Sequence, residues 1–141
     1  GGQLVGYQQA MERPCDVLAV TADPDAPRVV VTGIHRPNGL CYSADGSRLY
    51  VSDSSDENHC VYVVDVAGRF EPRLLWTMPV GVPDGMTVDR EGRIWVAGGD
   101  GVYVISPAGE LLHRIGVPEM VTNVCFGGSK LRISTSRQPS P

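Results

Sequence analysis

A proline, then a carboxamide or carboxylate, then a glycine occurs twice in this chain, and the residues around it repeat with it. Pro37-Asn38-Gly39-Leu40 leads into Cys41-Tyr42, an Asp45-Gly46 turn and the run Leu49-Tyr50-Val51-Ser52-Asp53. Pro83-Asp84-Gly85-Met86 leads into Thr87-Val88, a Glu91-Gly92 turn and the run Ile94-Trp95-Val96-Ala97. In both copies a second glycine stands eight positions after Asn38 or Asp84. A third copy starts at Thr122-Asn123-Val124-Cys125-Phe126 and continues as Leu131-Arg132-Ile133-Ser134. Asn38, Asp84 and Asn123 hold equivalent places, 46 and then 39 residues apart. Four short strands in a repeat of about 40–45 residues is the arithmetic of a propeller blade.

The rest of the chain fits that frame. Strands are expected at Asp16–Val20, Val29–Val31, Leu40–Ser43, Leu49–Asp53, Val61–Val66 and Arg73–Met78, then at Met86–Val88, Ile94–Ala97, Val102–Ile105 and Leu111–Ile115. Each is short and rich in β-branched or aromatic residues, with turn residues between. No stretch reads as a helix. The fold class is therefore all-β. The count is a half blade, two whole blades and another half, about three four-stranded blades over residues 1–135, with a frayed tail at 136–141. A closed propeller needs four or more blades. The expectation is a fragment of a larger, six-bladed propeller, completed by its missing half or by self-association through open edges.

Composition narrows the function classes. The formal net charge of −4 argues against a nucleic-acid or anionic-membrane surface. There is no run of about 18 apolar residues, so no membrane-spanning helix is expected. The opening Gly-Gly-Gln-Leu-Val-Gly-Tyr has neither an initiator Met nor a basic and apolar leader, and reads as a piece of something longer or a trimmed product. Cys15, Cys41, Cys60 and Cys125 are scattered, without zinc-ligand spacing. Free buried thiols favour a reducing compartment, and so the cytoplasm.

The innermost strand of each blade lines the channel of a propeller. Asn38, Asp84 and Asn123 are therefore expected to converge on the axis, where oxygen donors suit a hard divalent cation such as Ca²⁺. Pro37-Asn38-Gly39 and Pro83-Asp84-Gly85 also read as ordinary turns, with the glycine at positive φ. His35, His59 and His113 show no ligand spacing and read as solvated or packed. No Gly-x-Ser-x-Gly elbow supports a serine nucleophile, and Gly98-Gly99-Asp100-Gly101 has no following helix to complete a phosphate cradle. Asp53 reads as a residue that bonds a turn backbone.

Together, Arg36-Pro37-Asn38-Gly39-Leu40, Pro83-Asp84-Gly85-Met86 and Thr122-Asn123 resemble the motifs of the gluconolactonase / senescence marker protein-30 / luciferin-regenerating-enzyme family. The resemblance runs from about Val17 to Thr135 and covers the C-terminal half of that family's six-bladed propeller. It implies a lactone hydrolase with one divalent metal, Ca²⁺ or Zn²⁺, on the channel axis. Asn38 and Asp84 match metal ligands, and Asp84 also matches the general base. Asn123 matches a pocket-facing position, and Tyr7 and Gln8 fall in a loop expected at the pocket rim. The family's third ligand, an early Glu, has no counterpart; Glu12 lies in a loop ahead of the first strand and is not assigned to that role. The substrate expected is a sugar-acid or related lactone. The alternatives are a non-catalytic calcium-binding or interaction propeller, and an inactive truncated product.

Overall fold

The computed structural model describes residues 17–20, 29–67, 71–127 and 130–136. Twelve strands follow one another without an intervening helix among these residues: β1 (Val17–Val20), β2 (Val29–Thr32), β3 (Pro37–Tyr42), β4 (Arg48–Asp53), β5 (Cys60–Asp65), β6 (Arg73–Thr77), β7 (Pro83–Val88), β8 (Ile94–Gly98), β9 (Gly101–Ile105), β10 (Leu111–Gly116), β11 (Met120–Gly127) and β12 (Lys130–Ser136). They form two four-stranded antiparallel sheets, β3-β4-β5-β6 and β7-β8-β9-β10, and two two-stranded ones, β1-β2 and β11-β12. This is the blade pattern of a partial propeller, with a half blade at each end.

The sheets stack because their strands are apolar on both faces. Side chains alternate along a strand, so consecutive residues serve different interfaces. On β8, Ile94 and Val96 enter the cluster shared with the first four-stranded sheet, and Ala97 enters the cluster shared with β11. On β4, Tyr50 faces the second sheet, while Leu49 and Val51 join Ile34 and Val64 in a separate cluster on the other face. Trp76 and Tyr103 meet across the first interface, ring centroids 5.4 Å apart. Trp95 and Phe126 meet edge-on across the second, at 5.3 Å.

Three hairpins end in one kind of turn. Ser43, Asp89 and Ser106 each accept a backbone N–H from Gly46, Gly92 and Gly109 respectively, and those glycines take φ of 76°, 84° and 90°. Side-chain oxygens of Ser43, Asp89 and Ser106 then accept further backbone N–H groups of the same turns.

Several boundaries differ from the sequence reading by a residue or more. Strands β3 and β7 start at Pro37 and Pro83, so Asn38-Gly39 and Asp84-Gly85 lie inside the strands and not in turns ahead of them. Proline is tolerated there because it opens the strand. Ser136, read as part of the tail, pairs with Met120 on the β11–β12 ladder; residues 137–141 lie outside the described residues.

Candidate axial site

The three inner strands β3, β7 and β11 share a backbone defect. Pro37 faces Asp53 and Leu40 faces Val51, so Asn38 and Gly39 oppose Ser52 alone. Pro83 faces Gly98 and Met86 faces Val96, so Asp84 and Gly85 oppose Ala97 alone. On β11 Val121 faces Thr135 and Val124 faces Ile133, so Thr122 and Asn123 together oppose Ser134. The register thus puts Thr122, not Asn123, in the place of Asn38 and Asp84, and Asn123 in the place of Gly39 and Gly85. A bulge of this kind bends the strand and re-aims a side chain out of the plain alternation.

The bulges meet each other. The Asn38 amide Nδ2 donates to Asp84 Oδ1 at 3.0 Å, across 46 residues of chain. Both side chains are half-buried. Burial pushes the Asp84 carboxyl above its ordinary range, against the opposing effect of the Asn38 amide. Asn123 Oδ1 accepts the N–H of Val124 at 2.8 Å and packs directly on Gly85. Of the positions read as candidates, Asn38 and Asp84 are in contact, and Asn123 reaches the same cluster through Gly85. Tyr7 and Gln8 lie outside the described residues.

The glycines of the motif have a reason that the turn reading misses. Neither Gly39 nor Gly85 takes a positive φ. A Cβ on Gly39 would collide with the backbone carbonyl of Asp84, and one on Gly85 would collide with the Asn123 side chain. These two residues are glycine so that neighbouring inner strands can approach.

Two supporting residues hold the pair in place. Ser52 was not singled out in the sequence. It is fully buried, its Oγ accepts the Gly39 N–H at 2.6 Å, and its hydroxyl lies 3.1 Å from the Asp84 carbonyl oxygen. It therefore joins the first bulge to the second. Nothing in the run Leu-Tyr-Val-Ser-Asp marks it, because the partner lies on another blade.

Asp53 is also fully buried. It accepts the N–H groups of His35, Arg36 and Ser55 and the Asn58 amide at 3.0–3.2 Å. Burial raises its carboxyl, but these donors, Ser55 foremost, outweigh it and hold the group below its ordinary range. Asp53 thus fixes the loop that delivers Pro37-Asn38.

The histidines are elsewhere. His35 is exposed beside Glu57, His59 Nδ1 bonds the Met78 carbonyl oxygen at 2.8 Å, and His113 is exposed on β10. Among the described residues no group of three or more His, Cys, Asp or Glu could hold a metal ion. A cavity of about 330 Å³ lies between Ser43–Arg48 and Arg90–Gly92, at the far end of β3 and β7 from Asn38 and Asp84.

The motifs and the fold match known proteins. The SMP-30/Gluconolactonase/LRE-like region matches residues 4–135. A gluconolactonase of Zymomonas mobilis is 36% identical over 123 residues, covering 77% of this chain and 35% of that protein. A regucalcin of Danio rerio is 34% identical over 103 residues, covering 67% and 35%. The structure of a gluconolactonase from Xanthomonas campestris superposes with a TM-score of 0.69 at 29% identity, covering 82% of this chain and 44% of that one. The chain thus spans about a third of the length of these curated relatives. With the three motifs, the bulged inner strands and the match over residues 4–135, the chain belongs to the SMP-30/gluconolactonase/LRE-like family of β-propellers.

Proposed function

We propose that this chain carries part of the active site of a metal-dependent lactone hydrolase, with Asn38 and Asp84 as ligands of a divalent cation, Ca²⁺ in preference to Zn²⁺. The observation that carries the reading is the meeting of the two bulges, which brings a carboxamide and a carboxylate together from separate blades. The donor set fits such an ion. Oxygen ligands without thiolate or imidazole suit a hard cation. The half-buried Asp84 carboxylate has one hydrogen-bond donor among the described residues, which leaves acceptor capacity for an ion. The regucalcin name among the relatives is consistent with calcium.

A bound cation would polarise the lactone carbonyl and stabilise the charge that develops on its oxygen. The chain's own residues would do the rest. Asp84 takes the proton of the attacking water as that water's oxygen bonds the carbonyl carbon. The proton then goes to the ring oxygen as its bond to that carbon breaks, which yields the open hydroxy acid. The Nδ2–H of Asn38 fixes one carboxylate oxygen and so orients the other. Asn123, packed on Gly85, borders the same place and is assigned to the pocket wall. The substrate class is a sugar-acid lactone, in line with the gluconolactonase relatives. The described cysteines Cys41, Cys60 and Cys125 are free thiols, which favours a reducing compartment such as the cytoplasm.

A second reading is a calcium-binding propeller without turnover. It is in line with the regucalcin relative. Calorimetric Ca²⁺ titration and a pH-stat assay on an aldonolactone, each with Asp84→Ala as the comparison, separate the two. Binding and turnover that are both lost in Asp84→Ala support the hydrolase, with turnover down about 100-fold or more. Binding without turnover supports the second reading. Turnover that survives Asp84→Ala rules out the proposed mechanism.

A further inference from the structure

We propose that Ser52 is a positioning residue for Asp84. Its hydroxyl holds the first two inner-strand bulges at the spacing that lets the Asn38 carboxamide meet the Asp84 carboxylate. The geometry is that of one atom between two equivalent peptide units. Asn38-Gly39 and Asp84-Gly85 occupy the same place in successive bulges. The first unit gives its N–H to Ser52 Oγ at 2.6 Å, and the second presents its carbonyl oxygen to the same hydroxyl at 3.1 Å. Since Oγ accepts from Gly39, its own proton is the one left to donate. The Gly39 carbonyl oxygen at 3.2 Å and the Asp84 carbonyl oxygen are the acceptors within its reach among the described residues. The Asn38 and Asp84 side chains each branch from the Cα beside a peptide unit tied to this one atom.

The bulge itself does not require a hydroxyl. On β8 the residue facing the second bulge is Ala97, also fully buried, and the bulge forms there all the same. At that place the Asn123 side chain packs on Gly85. The serine thus stands where Asn38 and Asp84 meet and not opposite the next bulge. Gly39 gives a reason for it. The Asp84 carbonyl approaches Gly39 too closely for a Cβ, so no side chain of residue 39 can set the spacing of the two strands. The Ser52 hydroxyl lies against that contact and is fully buried, where hydrogen bonds hold their geometry better than in water. Without it, the Gly39 N–H loses this partner and the Asp84 peptide unit is no longer tied to the first bulge.

The consequence for a cation rests on the metal-site reading given above. Groups that orient a ligand from behind typically govern roughly 10–100-fold in metal affinity. Ser52→Ala is therefore expected to weaken Ca²⁺ binding about tenfold, with the fold retained.

Two measurements on Ser52→Ala test this, one of them without metal. In chelator, the Asn38 side-chain amide proton that is bonded to Asp84 gives a nuclear magnetic resonance signal displaced from that of a free carboxamide. Ser52→Ala should move it back toward the free position, and calorimetry should show the tenfold loss of Ca²⁺ affinity. Val64→Ala is the control for lost stability. Val64 is fully buried at the opposite end of the same sheet, and its truncation should leave both readouts unchanged. An Asn38 signal that Ser52→Ala does not move overturns the proposal, and so does an equal movement in Val64→Ala. Unchanged affinity in Ser52→Ala, beside an unsubstituted protein that binds Ca²⁺, overturns it too. If Ser52→Ala does not fold, the unsubstituted protein decides. A hydroxyl donated to a buried carbonyl exchanges slowly and gives its own proton signal, whereas a Ser52 hydroxyl in free exchange with water overturns the proposal. A protein that binds no Ca²⁺, but whose Asn38 signal responds to Ser52→Ala, defeats the metal-site reading and leaves Ser52 in its role.

Discussion

Gly85 carries no side chain because Asn123 occupies the space where one would be. The same is true of Gly39 and the Asp84 carbonyl group. The dipeptides Asn-Gly and Asp-Gly are ambiguous in a sequence, since turns use them too. Here the glycine serves close approach between inner strands. Gly85→Ala should therefore lower stability by about 1–3 kcal/mol through overpacking. Chemical denaturation of Gly85→Ala, Asn123→Ala and the double variant checks this. The double variant should lose less than the two singles combined, because removing the Asn123 side chain vacates part of the space; strict additivity would show that the two do not touch.

At the scale of an element, the loop around Asp53 fixes where β3 begins. One carboxylate ties residues 35, 36, 55 and 58 together. Its folded pKa lies below the ordinary value. Such a group contributes stability that is present above the unfolded pKa and is lost as pH falls through the folded one. Asp53→Asn should accordingly flatten the acid side of the stability–pH curve and lower the plateau at neutral pH, where the cost is about 1–3 kcal/mol for a buried group left badly paired. Thermal melts from pH 3 to 7 would reveal it. Equal acid slopes in the two proteins would remove Asp53 from this role. The hairpin turns were readable at this scale. Asp45-Gly46, Glu91-Gly92 and Ala108-Gly109 are local, and each glycine's positive φ follows from its own turn. The bulges were not readable, because a bulge is a property of a strand pair.

For the whole molecule, the interface between the two four-stranded sheets is the main store of stability. Trp76 is 9% exposed and packs against Tyr103. Trp76→Ala should cost about 3–5 kcal/mol. The measurement is the denaturant midpoint, and a loss under about 1 kcal/mol would show that the sheets are held elsewhere. The strand count, the order of blades and the half blade at each end were all legible. They depend on short apolar runs and on turn residues, which act over a few positions. The repeat step of about 46 residues then identified Asn38 and Asp84 as equivalent before any contact was known. Three contacts could not be obtained that way: the Asn38–Asp84 hydrogen bond, the link through Ser52, and the seat of Asn123 on Gly85. Each joins residues on different blades. Local chemistry sets what a strand or turn becomes. Which side chain meets which across a sheet-to-sheet gap depends on packing distance and bulge register, and those exist only once the blades have stacked.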